Sequence, residues 1–408
     1  MSRKTEILVA GAGAAGLTLG IALAEAGFEA TVCGTLDARR NARTVALFEA
    51  SLRLYRSLGL WDRLSPLACP LQRIRLIDDT DSMFRPPPTL LRASEIGLEA
   101  FGANIANADL VEGLADIARQ TPGLTLLEAL LDDYIVSSTH VSARVGGSER
   151  IEAMLLVGAD GRGSPVRAAA GIGVREWTYP QSALTALVWH EKPHRATSTE
   201  FHTRIGPCTL VPLKGTPERP NRSSLVWLME PAEATRRMAL DDSSLALEIE
   251  TQVHALHGHM GLEGPRGSFP MGAMLAHKLT APRIALVADA GHYYPPIGAQ
   301  GLNLGLRDVA QLASSLTRLG RGDAGCARAL ADYESRRRLD VTSRTLGVAL
   351  LNGSLLQDTA PVDFIRAAGL RAMAHVGPLR RALMWEGVAP VGRLPALMRD
   401  TRGTRAAG

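Results

Sequence analysis

Glu6-Ile-Leu-Val-Ala10-Gly11-Ala-Gly13-Ala-Ala-Gly16-Leu-Thr-Leu-Gly20-Ile-Ala-Leu-Ala-Glu-Ala26 is the stretch that decides the fold. Glu6 to Ala10 reads as a short buried strand, and Ala14 to Ala26 as an Ala/Leu-rich helix. The three glycines between them have separate physical reasons. Gly11 permits the tight turn, Gly13 lets the backbone approach a pyrophosphate, and Gly16 lets the helix pack closely on the strand. Ala14 and Ala15 then open the helix, whose free N–H groups and positive dipole end face the phosphates. Gly27 ends the helix, and Glu29 to Cys33 forms the next strand. One expected element is missing. The second strand should end in Asp or Glu to bind a ribose hydroxyl, but Gly34 stands there, with Asp37 three residues late.

The chain has 408 residues, a length that suits two domains. At 46% hydrophobic and 21% charged residues it is globular rather than disordered. A net charge of +4 is too mild to argue for nucleic acid. Cys33, Cys69, Cys208 and Cys326 lie far apart without a CxxC pair, against a disulfide scaffold or a zinc site and in keeping with a reducing cytoplasm. The apolar run Ile7 to Ala24 is broken by four glycines, so neither a membrane span nor an export signal is expected. From Pro361 to Gly408 there are eight Arg and three acids, which leaves a net charge of −1 for everything before. Leu379, Leu383 and Met384 beside Arg380 and Arg381 read as a basic amphipathic helix. Such a helix lies on the inner face of an anionic membrane or packs on its own protein, and the pattern allows both.

Two later stretches repeat the strand-then-glycine pattern. Leu155 to Gly163 (LLVGADGRG) is an apolar strand running into a turn that carries Asp160. Arg283 to Asp289 (RIALVAD) is another, followed by AGHYYPPIGAQGLNLGLRDV. Asp289 at a strand end suits a hydrogen bond to a sugar hydroxyl. Pro295, Pro296 and Gly298 imply an irregular loop approached closely by something else. Gly301-Leu302-Asn303 opens a helix whose amino terminus would suit the electron-rich end of a reduced flavin. Arg43 could reach a cofactor phosphate or ribitol, or pair with a surface acid. His254, His257 and His259 cluster without zinc-site spacing, so no metal is assigned. No nucleophile elbow or carboxylate pair supports a hydrolase.

On GAGAAG, VGADGRGSPVR and ADAGHYYPPIGAQGLNLGLRD, in that order, the chain resembles the FAD-dependent aromatic hydroxylases (group A flavoprotein monooxygenases, the p-hydroxybenzoate hydroxylase fold). Within them it is most similar to the ubiquinone-biosynthesis hydroxylases, a likeness extended by SEIGLEAFGANIANADL, GPCTLVPL, SLVW and YESRRRLD. The resemblance implies pyrophosphate contacts at Gly11, Gly13, Ala14, Ala15 and Gly16. It implies flavin contacts from Arg43 and Asn107, and sugar or pyrophosphate contacts from Asp289. Pro296, Gly298, Gly301, Leu302 and Asn303 would line the isoalloxazine, and Asp160 belongs to a motif associated with both FAD and NAD(P)H. His292, Tyr293, Tyr294 and Pro296 are candidates to line or support the substrate cavity, with no side chain assigned as nucleophile. The departures are Gly34, Asn41 ahead of Arg43, and Ala288 and Gly291 in the distal motif. They predict a weaker hold on the adenosine end of FAD.

The expected fold is α/β: a Rossmann-like FAD-binding domain, a discontinuous second domain on a largely antiparallel sheet, and a helical carboxyl-terminal region. The FAD domain is expected in three parts (1–70, 103–180 and 268–347), with 71–102 as the connection, 181–267 as the substrate domain, and 348–408 as the basic tail. The activity implied is NAD(P)H- and O2-dependent hydroxylation of a phenolic small molecule or polyprenylated lipid. The expected location is cytoplasmic or peripheral on a membrane surface, with membership of a biosynthetic complex a further partner reading. A hydroxylase of a soluble aromatic or polyketide, and a flavin-poor scaffold protein suggested by Gly34, are the alternatives.

Overall fold

In the computed structural model the described residues are 2–36, 43–80, 87–295, 300–356, 377–390 and 394–399, with 345–356 described by backbone alone. The glycine-rich turn leaves the strand Arg3–Ala10, which lies in the middle of an eight-stranded sheet. Its parallel neighbours are Ala30–Cys33 on one side and Glu149–Gly158 on the other. Leu124–Leu127 and Ile284–Leu286 extend the parallel set outwards. These strands read as near-continuous apolar runs because helices cover them, leaving no solvated face to demand alternation. Ala10 is in register with both Cys33 and Gly158, and Gly158 with Leu286. Four strands therefore end level, and the loops after them form one shelf.

The helix Ala14–Glu25 is buried along its length up to Ala24 and packs against the helices Asn107–Gln120 and Gln300–Leu319. Being apolar on every side, it is a central helix rather than a surface one. Gly27, at φ +82°, supplies the left-handed residue that ends it.

A second eight-stranded sheet runs His292–Tyr293, Met260–Ala276, Val174–His190, Arg222–Met229, Gly206–Leu213, Thr197–Thr203, Arg73–Asp78, Thr89–Arg92. All pairings are antiparallel except Thr197–Thr203 with Arg73–Asp78. The two long strands, Val174–His190 and Met260–Ala276, lose register between Thr178 and Ser182 and again between Thr185 and Leu187. Pro180 falls in the first interruption and Pro265 opposite the second, where a residue without an N–H costs no ladder bond. A small sheet of Thr44–Phe48, Gly102–Ala106 and Cys69–Leu71 lies between the two large ones. Asn104 and Thr44 stitch it to the second sheet, through Pro212 O (2.9 Å) and Ser224 Oγ (2.7 Å). The fold class is the one expected from the glycine-rich turn and the strand-rich centre.

Candidate active site

The glycine cradle is built by contact as well as by turn geometry. A Cβ on Gly11 would lie 2.1 Å from Ala159 O, and one on Gly16 only 1.9 Å from Gly11 O. Gly13 has nothing within 4 Å of that position, so the open side of the loop is at Gly13. The helix behind it has no side-chain cap and no acid in its first turn. The N–H groups of Ala14, Ala15 and Gly16 thus have no intrahelical partner and are available to an anion. This donor set fits the pyrophosphate of a dinucleotide such as FAD.

Gly34 has its own structural reason. A Cβ there would lie 2.4 Å from the Ala12 amide nitrogen and 3.0 Å from Ala12 Cβ. In this backbone the end of the second strand passes too close to the cradle for any side chain, acidic ones included. Asp37 and Asn41 lie outside the described residues.

The middle motif braces the shelf. Asp160 accepts a hydrogen bond from Val166 N (2.9 Å), and Ser164 Oγ caps the short helix at Arg167 N (3.0 Å). Burial pushes the Asp160 carboxyl above its ordinary range despite the hydrogen bonds from Ser164 and Val166. Arg167 donates to Ala290 O (2.8 Å), which ties this motif to the turn that carries Asp289. Asp289 itself is half-exposed and lies 3.5 Å from Arg162 Nε, whose guanidinium sits 4.7 Å above the Tyr293 ring. It is accessible to a ligand in a way that Asp160 is not.

Arg43 and Asn107, each expected to meet the flavin, lie beside one another. Asn107 N donates to Arg43 O (3.0 Å) at the start of the Asn107–Gln120 helix, and the Arg43 guanidinium lies 5.4 Å from the Phe269 ring centroid. Gly301 and Leu302 are in the first turn of the helix Gln300–Leu319, and a Cβ on Gly301 would meet nothing within 4 Å. Asn303 differs from expectation, because its side chain is used by the protein. Its Oδ1 accepts from Phe48 N (2.8 Å) and Ser51 Oγ (2.7 Å), while its Nδ2 donates to Ala46 O (2.7 Å). Pro296 and Gly298 lie outside the described residues.

Of the described cavity candidates, only Tyr293 is partly open. His292 is 1% exposed and donates through Nε2 to Asp308 Oδ2 (2.6 Å), so it supports the turn rather than lining a cavity. Tyr294 is also buried and stacks on His292 at 5.5 Å. The clustered histidines disperse: His254 meets Asp79, His257 stacks on His190, and His259 faces Glu250. Among the described residues no three metal-ligating groups converge.

Beneath the turn lies an ion network that the sequence reasoning did not assign. Asp308, fully buried, accepts from His292, from Ala288 N (2.9 Å) and from Arg337 Nε (2.7 Å). Arg337 also reaches Asp340 (2.5 Å), which Arg344 binds from one turn further on (3.0 Å). Burial works to raise the Asp308 carboxyl, but His292 and Arg337 outweigh it and hold it below its ordinary range. Tyr333 OH donates to Leu286 O (2.7 Å), fixing the same helix to the strand end. The available signal was the spacing in YESRRRLDVTSR (Tyr333 to Arg344): Tyr333, Arg337, Asp340 and Arg344 recur at four, three and four residues along one helix face.

Comparison with known proteins agrees with this geometry. Residues 4–346 match the family model FAD_binding_3, described as an FAD binding domain. Ubiquinone hydroxylase UbiL of Rhodospirillum rubrum is 34% identical, with 98% of this chain and 93% of that protein aligned. The 3-demethoxyubiquinol 3-hydroxylase of Escherichia coli is 30% identical, with 93% and 97% aligned. Among solved structures, p-nitrophenol 4-monooxygenase PnpA from Pseudomonas putida superposes with a TM-score of 0.79 at 15% identity, covering 96% of this chain and all of that one. The cradle, the accessible Asp289 and these likenesses make the chain a member of the FAD-binding monooxygenase family, in the aromatic-hydroxylase branch that includes the ubiquinone hydroxylases.

Proposed function

We propose that this chain hydroxylates an electron-rich phenolic ring of a polyprenylated precursor of ubiquinone, using O2 and NAD(P)H. The observation that carries the substrate class is the near full-length likeness to two hydroxylases named for that pathway. When bound, FAD supplies hydride acceptance from NAD(P)H and activation of O2. The chain's own residues bind and orient. The Gly11–Gly16 cradle holds the pyrophosphate, Asp289 meets the sugar side, and the helix end at Gly301 and Leu302 offers N–H groups to the pyrimidine edge of the ring system. His292, Asp308 and Arg337 keep the turn between them in place.

We further place the enzyme at an anionic membrane surface, where a polyprenyl tail dissolves. Leu379 and Leu383 are exposed on the helix Gly377–Val388, with the exposed Arg381 between them, while Met384 packs inward. Residues 357–376, 391–393 and 400–408 of the basic tail lie outside the described residues. No helix among the described residues is long and apolar enough to cross a membrane. The test uses the FAD-loaded enzyme with a panel of prenylated and soluble phenols, following NAD(P)H consumption and incorporation of one atom from labelled O2. Stimulation and labelling confined to prenylated phenols is the expected result. Labelling only of soluble aromatics overturns the substrate class, and consumption without labelled product from any phenol overturns the hydroxylase reading.

A further inference from the structure

At the outer edge of the second sheet, the strands Thr197–Thr203, Arg73–Asp78 and Thr89–Arg92 pair so that Thr197, Arg73 and Arg92 lie side by side, as do Thr199, Arg75 and Leu90. Paired positions point to one face of a sheet. Facing them is the turn after His190, which brings Lys192 and Arg195. Together they enclose a cavity of about 390 Å3 whose walls hold five cations: Arg73, Arg75, Arg92, Lys192 and Arg195. Among the described residues none of the five has a carboxylate within ion-pair distance. Glu95, the acid closest in sequence to Arg92, is taken by Arg380 (2.6 Å).

The same cavity contains two buried polar atoms without partners. Thr199 is 1% exposed and its Oγ1 has no hydrogen bond; His257 is 6% exposed and its Nε2 has none. Buried polar atoms are nearly always satisfied, so a hydroxyl donor and an imidazole lining one pocket with five cations that no described carboxylate pairs, Arg73 giving one N–H to Arg195 O (3.4 Å), call for an anionic ligand with several acceptor oxygens. His190, stacked on His257 at 4.5 Å, needs none, because its two nitrogens meet Lys192 O and Ser223 Oγ.

We infer that this pocket binds a phosphate group, and that its source is the headgroup of an anionic phospholipid. The neighbouring surface decides the source. The helix Gly377–Val388 packs on the turn Ala93–Ile96 that follows Thr89–Arg92, its Arg380 donates to Leu90 O, and Leu90 also lines the pocket. That helix exposes Leu379 (45%) and Leu383 (48%), one turn apart on one face. A soluble phosphate has no use for exposed leucines, whereas a bilayer surface offers an anion beside an apolar layer. This assignment rests on the membrane reading above and supplies its headgroup contact.

The experiment is co-sedimentation of the FAD-loaded full chain with phosphatidylglycerol-containing vesicles and with pure phosphatidylcholine vesicles. Arg75→Ala/Arg195→Ala should lower partitioning onto the anionic vesicles by roughly fivefold for each cation removed, with FAD binding unchanged. Thr199→Val, which leaves the charge intact, should lower it further, and Arg150→Ala/Arg328→Ala, on exposed cations elsewhere, should do less than the pocket pair. Equal losses from the two arginine pairs overturn the pocket and leave only diffuse charge. Loss in Leu379→Ser/Leu383→Ser with no loss in the pocket variants keeps the membrane reading and removes the pocket. Wild type bound to neither vesicle removes both, without touching the hydroxylase reading. Saturable binding of inorganic phosphate that is lost in the pocket variants, without vesicle binding, overturns the lipid source.

Discussion

Replacing Gly34 tests whether the missing ribose acid is a lost contact or a consequence of backbone packing. A Cβ at this position would stand 2.4 Å from Ala12 N, roughly 1 Å inside ordinary contact. Overpacking of that kind costs about 1–3 kcal/mol, and the Gly11–Gly16 cradle, of which Ala12 is part, must move to relieve it. Gly34→Ala should therefore raise the FAD dissociation constant by roughly 5- to 150-fold and lower the melting temperature of the apoprotein. Gly34→Glu adds a carboxylate that could contribute ~1.5–3 kcal/mol to a ribose hydroxyl, but against the same steric cost. Its affinity should not exceed that of wild type. The assay is titration of purified apoprotein with FAD, followed by flavin absorbance and tryptophan quenching. Wild-type affinity and stability in Gly34→Ala, or tighter binding in Gly34→Glu, would refute the packing argument.

Other outcomes follow from the same geometry. Arg337→Met strips a buried carboxylate of its partner and should cost about 3–5 kcal/mol in urea unfolding; a loss below about 1 kcal/mol would mean that Asp308 finds another cation. Asp289→Ala should weaken FAD by roughly tenfold with little change in stability, because its ion pair with Arg162 is half-exposed, and undiminished FAD affinity would remove Asp289 from the site. Asn303→Ala leaves Phe48 N and Ala46 O unsatisfied and should cost roughly 2–4 kcal/mol, read as a shifted urea midpoint. Burial lowers His190 to about 4 and His257 to about 3. Both bind protons more readily when unfolded, near pH 6.5, so stability is full above that value and falls as pH drops towards the folded values. Burial works to raise the Asp340 carboxyl, but Arg337 and Arg307 outweigh it and bring it to about 2, so its contribution is lost only below about pH 4. A urea midpoint that stays flat between about pH 7 and 5 would contradict the histidine part of this reasoning.

What could be read from the sequence was whatever depends on local chemistry. Gly11, Gly13 and Gly16 announced the turn, the strand and the helix because each requirement is met within six residues. The antiparallel strands after Gln181 announced themselves by turn residues between apolar runs. Side-chain destinations across the chain were not legible. His292 sits in a loop motif that suggests a cavity, yet its partner, Asp308, is one helix away and fully buried. Asn303 lies among residues expected to face the flavin, while its amide is used by Ala46, Phe48 and Ser51 some 250 residues earlier. Gly34 looked like a deletion of function because the crowding at Ala12 belongs to a loop that no spacing rule connects to it. The five cations of the outer pocket come from three segments, each with an ordinary charge pattern by itself.

The buried ion network separates two duties within the distal motif. Ala288 adopts φ +54°, a conformation that a non-glycine residue holds only when its surroundings impose it, and its amide is held by Asp308. Gly305 lets the helix approach that residue so closely that a Cβ there would stand 2.6 Å from Ala288 Cβ. The shape of the turn is thus stored in two helices beneath it rather than in the loop's own residues. An architecture of this kind is modular: substitutions near the substrate can retune selectivity while the anchoring turn stays in place, and a change in the anchor disables every variant alike.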